Sequence, residues 1–300
     1  MSKRKIRIGA KKALIVLVVF LTLHVLFNER SPVKDYADEY MKPTVNEENI
    51  NVHFIDVGQG SSVLIQQGTQ GILIDSGEDS YSDELHDYIV SAGVEVFPYI
   101  IATHPHSDHI GGLDEVIEDF TVSKLIMPYI EKENEPDSKV YEELCQSVEQ
   151  TKTEIIYPSA GENFTVGDSI FMEFLGPIKQ TDDMNNMSLI CKVRAFSTTF
   201  MFMGDAEKKE ISSVYSTNAD FDSDIIYVPH HGSDTSIHED FLYDVSADVA
   251  VISCGEDNSY GHPHEETLDF YENSGAEIYR TDIDDNIVIV CSENGYRIEP

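Results

Sequence analysis

Basic residues are scarce. The 300-residue chain carries 20 Lys+Arg against 55 Asp+Glu, a formal net charge of −35. Affinity for nucleic-acid phosphate rests on clustered Lys and Arg, so a nonspecific duplex-DNA binder working by bulk positive charge is set aside. Cysteine is scarce as well. Cys145, Cys191, Cys254 and Cys291 lie 46, 63 and 37 positions apart with no C-x-x-C pair, which fits neither a zinc ribbon nor a disulfide scaffold. The last three each sit in an apolar, strand-like run, so buried free thiols are expected. Long apolar runs are confined to residues 13–27, broken only by Thr22 and His24, which is too little to build a multi-span channel. No internal repeat or low-complexity segment stands out beyond an acidic linker. The chain as a whole is 41% hydrophobic, enough for a real core and unlike a disordered acidic tail.

The few bases are unevenly placed. Lys3, Arg4, Lys5, Arg7, Lys11 and Lys12 precede the apolar run, and no acid occurs before Glu29. Without this leader, 14 bases face 55 acids, a charge of −41. As a helix the run spans roughly 22 Å, short of a ~30 Å hydrocarbon core, but Lys11 and Lys12 can snorkel. The following Asn28-Glu29-Arg30-Ser31-Pro32 offers no small-x-small cleavage site, so an uncleaved signal anchor is favoured over a cleaved signal peptide. The charge asymmetry puts the N-terminus inside and the body outside. The domain reading is a leader and anchor at 1–28, an acidic linker at 29–50 and a folded domain at 51–300. Within that domain short apolar strands closed by glycine turns alternate with amphipathic segments, as expected of an α/β layered domain.

Seven of the 11 histidines fall into three clusters, each beyond an apolar strand. His104-Pro105-His106-Ser107-Asp108-His109 follows Tyr99–Thr103, His230-His231-Gly232-Ser233 follows Ile225–Pro229, and His262-Pro263-His264 follows Val249–Cys254. A fourth strand, Thr199–Met203, ends in Gly204-Asp205. Imidazole and carboxylate groups converging from several strand ends are what a borderline divalent metal needs. A single histidine here reads as an ordinary loop residue; four strand ends finishing in ligand-type side chains do not arise easily by chance.

On these residues the sequence resembles the metallo-β-lactamase fold superfamily, and within it the C-terminal hydrolase domain of ComEC-type DNA-uptake proteins. The motifs carrying the resemblance are Phe54–Gly60, Leu73–Gly77, Thr103–Leu113, Met203–Ala206, Val228–Ser233 and Tyr260–His264. Phosphorylcholine esterase domains are similar. The resemblance implies a four-layer αββα sandwich, here behind an N-terminal transmembrane anchor, with two divalent ions, zinc or manganese, at one edge. It implies that His104 and His106 hold one ion, that Asp108, His109 and His231 hold the second, and that Asp205 bridges both. Adjacent residues on an extended strand end point to opposite faces, which leaves His230 to contact the substrate phosphate or protonate the leaving group. The catalytic candidates are thus Asp108 and His230.

Three departures stand out. No histidine lies between His109 and His230, where the superfamily often places a further ligand; that stretch reads Asn185-Asn186-Met187-Ser188, so the first site is expected to use Asn186, water or substrate. ComEC-type domains commonly have aspartate where His106 stands, and an acid where Ser61 follows Gly-Gln-Gly. Asp75 is expected to organise the metal loop by hydrogen bonds to its ligands, and Asp56 either to support it likewise or to sit in a plain turn with Gly58 and Gly60. His264 reads equally as a substrate contact or a helix start. His24, His53, His86 and His238 read as structural. The function expected is an outward-facing, membrane-anchored hydrolase that cleaves a phosphodiester by metal-bound hydroxide, without an extended duplex-DNA track. A phosphorylcholine or other surface-ester hydrolase, or a non-catalytic metal-binding sensor, are the alternatives. Nothing in the sequence names a partner channel.

Overall fold

The computed structural model describes residues 48–299. The leader, the apolar run at 13–27 and nearly all of the linker lie outside them. Among the described residues no helix is long and apolar enough to cross a membrane.

Strand periodicity sets the architecture. The first strands are β1 (Ile50–Phe54), β2 (Val63–Gln67), β3 (Gln70–Ile74), β4 (Val96–Ile101), β5 (Thr121–Val122), β6 (Lys124–Ile126) and β7 (Glu154–Ile156). They form one sheet, joined at its far side by β15 (Ile287–Ser292) and β16 (Gly295–Glu299), in the order β16-β15-β1-β2-β3-β4-β6-β7 with β5 beside β4. The second sheet runs β14-β13-β12-β11-β10-β9-β8. Its members are β8 (Asn163–Val166), β9 (Ile170–Gly176), β10 (Ile190–Ala195), β11 (Thr198–Phe202), β12 (Ile225–Tyr227), β13 (Val249–Ile252) and β14 (Glu277–Arg280).

Residues two apart on a strand share a face, and here both faces of each sheet are apolar. Val63, Ile65, Ile72 and Ile74 meet Phe200, Phe202, Ile225 and Val251 between the sheets. Leu64, Leu73 and Ile100 point the other way, under α1 (Ser82–Ala92), α3 (Leu113–Asp119) and α4 (Lys139–Thr151). Met201, Ile226, Ala250 and Ile252 face α5 (Lys208–Tyr215), α6 (Glu239–Val245) and α7 (Glu265–Ser274). Three apolar layers between four layers of elements make the αββα sandwich. Cys191, Cys254 and Cys291 are buried and unpaired, and Cys145 is exposed on α4.

Each sheet has a parallel half: β3, β4, β6 and β7 in one, β11, β12, β13 and β14 in the other. Parallel strands present their carboxyl ends along one edge, where ligands of open α/β sheets collect. The two carboxyl edges are tied together. Leu189 N–H donates to Thr103 O at 2.8 Å and the Ser253 hydroxyl to Gly60 O at 2.8 Å.

Candidate metal centre

The carboxyl ends of four strands supply the site. Asp75 follows β3, and Thr103-His104 follows β4 and leads into the short helix α2 (Ser107–Ile110). Gly204-Asp205 follows β11 and Pro229–His231 follows β12. Asp108, His109, Asp205 and His231 form one donor set and His104, His106 and Asp205 a second, the ligand atoms of each lying within 4.8 Å of one another. Asp205 belongs to both. His109 Nε2 lies 3.1 Å from Asp205 Oδ1, while His104 Nε2 and His231 Nε2 lie 3.7 and 3.8 Å from Oδ2. His231 Nε2 is 3.3 Å from Asp108 Oδ2, and His104 Nε2 is 3.0 Å from His106 Nδ1.

The far nitrogens of the imidazoles are committed elsewhere, which fixes their tautomers. His109 Nδ1–H donates to Asp75 Oδ2 at 2.7 Å, and His231 Nδ1–H to the Ser253 carbonyl at 3.0 Å. Asp75 is in turn held by Thr103, whose N–H and hydroxyl donate to its two oxygens at 2.8 and 2.7 Å. The inward Nε2 atoms of His109 and His231 are buried without a hydrogen-bond partner. Buried polar atoms are ordinarily paired, so two orphaned imidazole nitrogens beside two carboxylates fit a divalent cation.

The electrostatics agree. Burial opposes the charge on His109, but Asp205, Asp75 and Asp108 together outweigh it and hold the imidazole well above its ordinary value. Burial likewise opposes ionisation of Asp205, yet His109, His231 and His104 hold its carboxyl well below the usual range. His104 moves well down, first through burial and then through His109.

The geometry of the adjacent histidine pair differs from an extended strand end. His230 and His231 both have φ of 54°, and both line one open cavity of about 320 Å³ with His106, Asp108, Asn185 and Asp205. Burial and partners distinguish them: His231 is buried on a backbone carbonyl, whereas His230 is half-buried with Nδ1 3.2 Å from Thr235 Oγ1.

Other expected residues take up particular places. Asn186 is buried in a structural network, donating to Asp183 Oδ2 at 2.6 Å and accepting the Glu210 N–H at 3.1 Å. Its neighbour Asn185 faces the cavity, with Nδ2 3.5 Å from His230 Nε2 and Oδ1 buried and unpartnered. His264 stands outside the cavity lining, at the start of α7, accepting the Asp234 N–H at 3.1 Å. His262 lines the cavity instead, its pKa lowered to about 4 by burial and then by His231 and His230. Asp56 accepts the Gly58 N–H at 3.0 Å in a tight turn. Gly60 is pressed against the ligand loop: a Cβ there would meet Asp108 O at 2.7 Å. His53 pairs with Tyr88 and Gln66, and His238 caps α6.

With the fold and donor sets in place, comparison with known proteins places them. The model of the Metallo-beta-lactamase superfamily matches residues 55–256. The chain belongs to this superfamily. Among curated relatives, ComE operon protein 3 of Bacillus subtilis is 27% identical over 263 residues, covering 81% of this chain and 33% of that protein. Competence protein ComA of Neisseria gonorrhoeae is 28% identical over 247 residues, with the same coverages. Recombination protein 2 of Haemophilus influenzae is 29% identical over 221, covering 71% of this chain and 25% of its own length. The chain therefore spans about a third or less of these relatives. The metallo-β-lactamase fold protein YhfI of Bacillus subtilis shares the fold at a TM-score of 0.52 and 15% identity, covering 81% of this chain and 100% of that one.

Proposed function

We propose that this superfamily member is a metal-dependent hydrolase that cleaves a phosphodiester with two divalent ions, zinc or manganese. The observation that carries this is Asp205, shared between two histidine-rich donor sets at one strand edge. His104, His106 and Asp205 would hold one ion, and Asp108, His109, His231 and Asp205 the other. A bound pair of divalent ions lowers the pKa of water towards neutrality and stabilises both the attacking and the leaving oxygen of an in-line displacement.

The chain's own residues shape what can bind. Among the described residues no lysine or arginine lines the cavity, so phosphate charge has to be met by the ions and by hydrogen-bond donors. Asn185 Nδ2 and His230 Nε2 face the cavity and are such groups. Thr235 orients the His230 ring through Nδ1, so that in its imidazolium form the ring would hand the Nε2 proton to the departing ester oxygen and be left neutral. Asp75 and Ser253 keep His109 and His231 turned inward. The anchor at 13–27, with the hydrolase domain on the outer face of the cytoplasmic membrane, belongs to this reading and rests on the cationic leader.

The test is a hydrolysis panel on zinc- or manganese-loaded protein: bis-p-nitrophenyl phosphate, p-nitrophenyl phosphorylcholine, single-stranded DNA and nitrocefin. Turnover of phosphodiesters with nitrocefin inert is expected. Rapid nitrocefin hydrolysis beside inert phosphodiesters would reverse the reading.

A further inference from the structure

Tyr260 is one of the most exposed large apolar-bodied side chains among the described residues, at 67%, yet it stands at the rim of the cavity. Its ring is not loose. It stacks on His262 at 5.6 Å between centroids and 18° between planes, and His262 stacks on His231 at 6.2 Å and 29°. A staircase of three near-parallel rings therefore climbs from a metal-ligand imidazole to solvent.

One side chain holds the backbone that carries the upper two rings. Asn258 Oδ1 accepts the Tyr260 N–H at 3.2 Å and the His262 N–H at 3.0 Å, while its Nδ2 donates to the carbonyls of Gly255 at 3.0 Å and His262 at 2.6 Å. Two donated and two accepted bonds are all that one amide can make. His264 adds a contact from Nε2 to Tyr260 O at 3.4 Å. A solvent-exposed tyrosine held this way gains nothing for the core. It presents its π-face at the mouth of a cavity that, among the described residues, no lysine or arginine lines, and base–aromatic stacking adds affinity without any basic residue.

We infer that Tyr260 is a stacking platform that selects phosphodiesters carrying an unpaired nucleobase beside the scissile phosphate, and that Asn258 is its positioning residue. This rests on the phosphodiesterase reading of the same site. Such a platform favours a free end or single strand over a duplex, whose bases are already stacked and paired.

The experiment compares two esters with one leaving group, thymidine 5′-(p-nitrophenyl phosphate) and methyl p-nitrophenyl phosphate, on metal-loaded protein. In Tyr260→Ala and Tyr260→Leu the ratio of kcat/KM for the thymidine ester to that for the methyl ester should fall about 5- to 150-fold, carried by KM. Tyr260→Phe, which keeps the ring, should hold the ratio. Asn258→Ala should lower it too, and the Tyr260→Ala/Asn258→Ala double variant should lower it no further than Tyr260→Ala alone. An unchanged ratio in Tyr260→Ala, including one where only the phosphorylcholine ester suffers, overturns the inference. If the wild type cleaves no ester, the phosphodiesterase reading fails separately. Calorimetry then decides the platform: thymidine 5′-monophosphate should bind more tightly than methyl phosphate, and Tyr260→Ala should erase the difference. Equal binding of the two in the wild type overturns it.

Discussion

Replacing His231 by alanine should remove metal and hydrolysis together, because a site loses affinity with its imidazole. His230→Ala should keep the metal and lower turnover by about 10²–10⁴, the range of a lost general acid or phosphate contact. Both residues sit at φ of 54°, so backbone strain is matched in the two variants and thermal unfolding serves as a shared control. Metal loss in His230→Ala with full retention in His231→Ala would invert the assignment. Asp75→Asn tests the support beneath His109. The amide keeps the shape but weakens the 2.7 Å bond, and metal affinity measured by chelator competition should drop about 10–100-fold. At this scale H-x-H-x-D-H and Asp205 were legible because ligand chemistry is written in side-chain type. The choice between neighbours was not. Asn185 rather than Asn186, and His262 rather than His264, line the cavity because a 3-10 turn at Asn185–Met187 and a cap at His264 set the side-chain directions. Alternation along an extended strand was the wrong geometry for His230-His231, whose backbone is left-handed.

The helix α5 carries a buried carboxyl that couples pH to the packing of the second sheet. Glu210 Oε1 accepts the Ile178 N–H at 2.6 Å, and burial raises its pKa from 4.5 to about 7. A folded-state pKa above the unfolded one gives stability that is complete below about 4.5 and is lost as pH rises through about 7. Glu210→Gln keeps the acceptor and cannot ionise. Unfolding free energies from denaturant titration should therefore match the wild type at pH 4.5 and exceed it by pH 8, by no more than about 3 kcal/mol; parallel curves across that window would contradict the account. Most elements were readable from the sequence, since β-branched and aromatic runs between glycine turns mark strands. The strands β8 and β16 are the least legible. Each ends its sheet, pairs along one side only, and so tolerates the polar Asn163, Thr165, Arg297 and Glu299 that blur the alternation.

For the whole molecule, the sandwich follows from strands apolar on both faces, which demand a layer on each side. Its charge should keep it off duplex DNA: the metal-free domain should show no retention by a mixed-sequence duplex even at about 50 mM salt, where electrostatic binding is strongest. Retention there would mean a basic track that the cavity lacks. The proposed anchoring predicts that protease added to intact cells digests the body, and full protection would contradict it. The central claim is that two donor sets share Asp205. Metal analysis of the purified domain, saturated with zinc or manganese and freed of excess, tests it most directly. The account predicts two ions per wild-type chain and the loss of both in Asp205→Ala with the fold intact by thermal unfolding. No bound ion in the wild type, or two ions retained without Asp205, would contradict it.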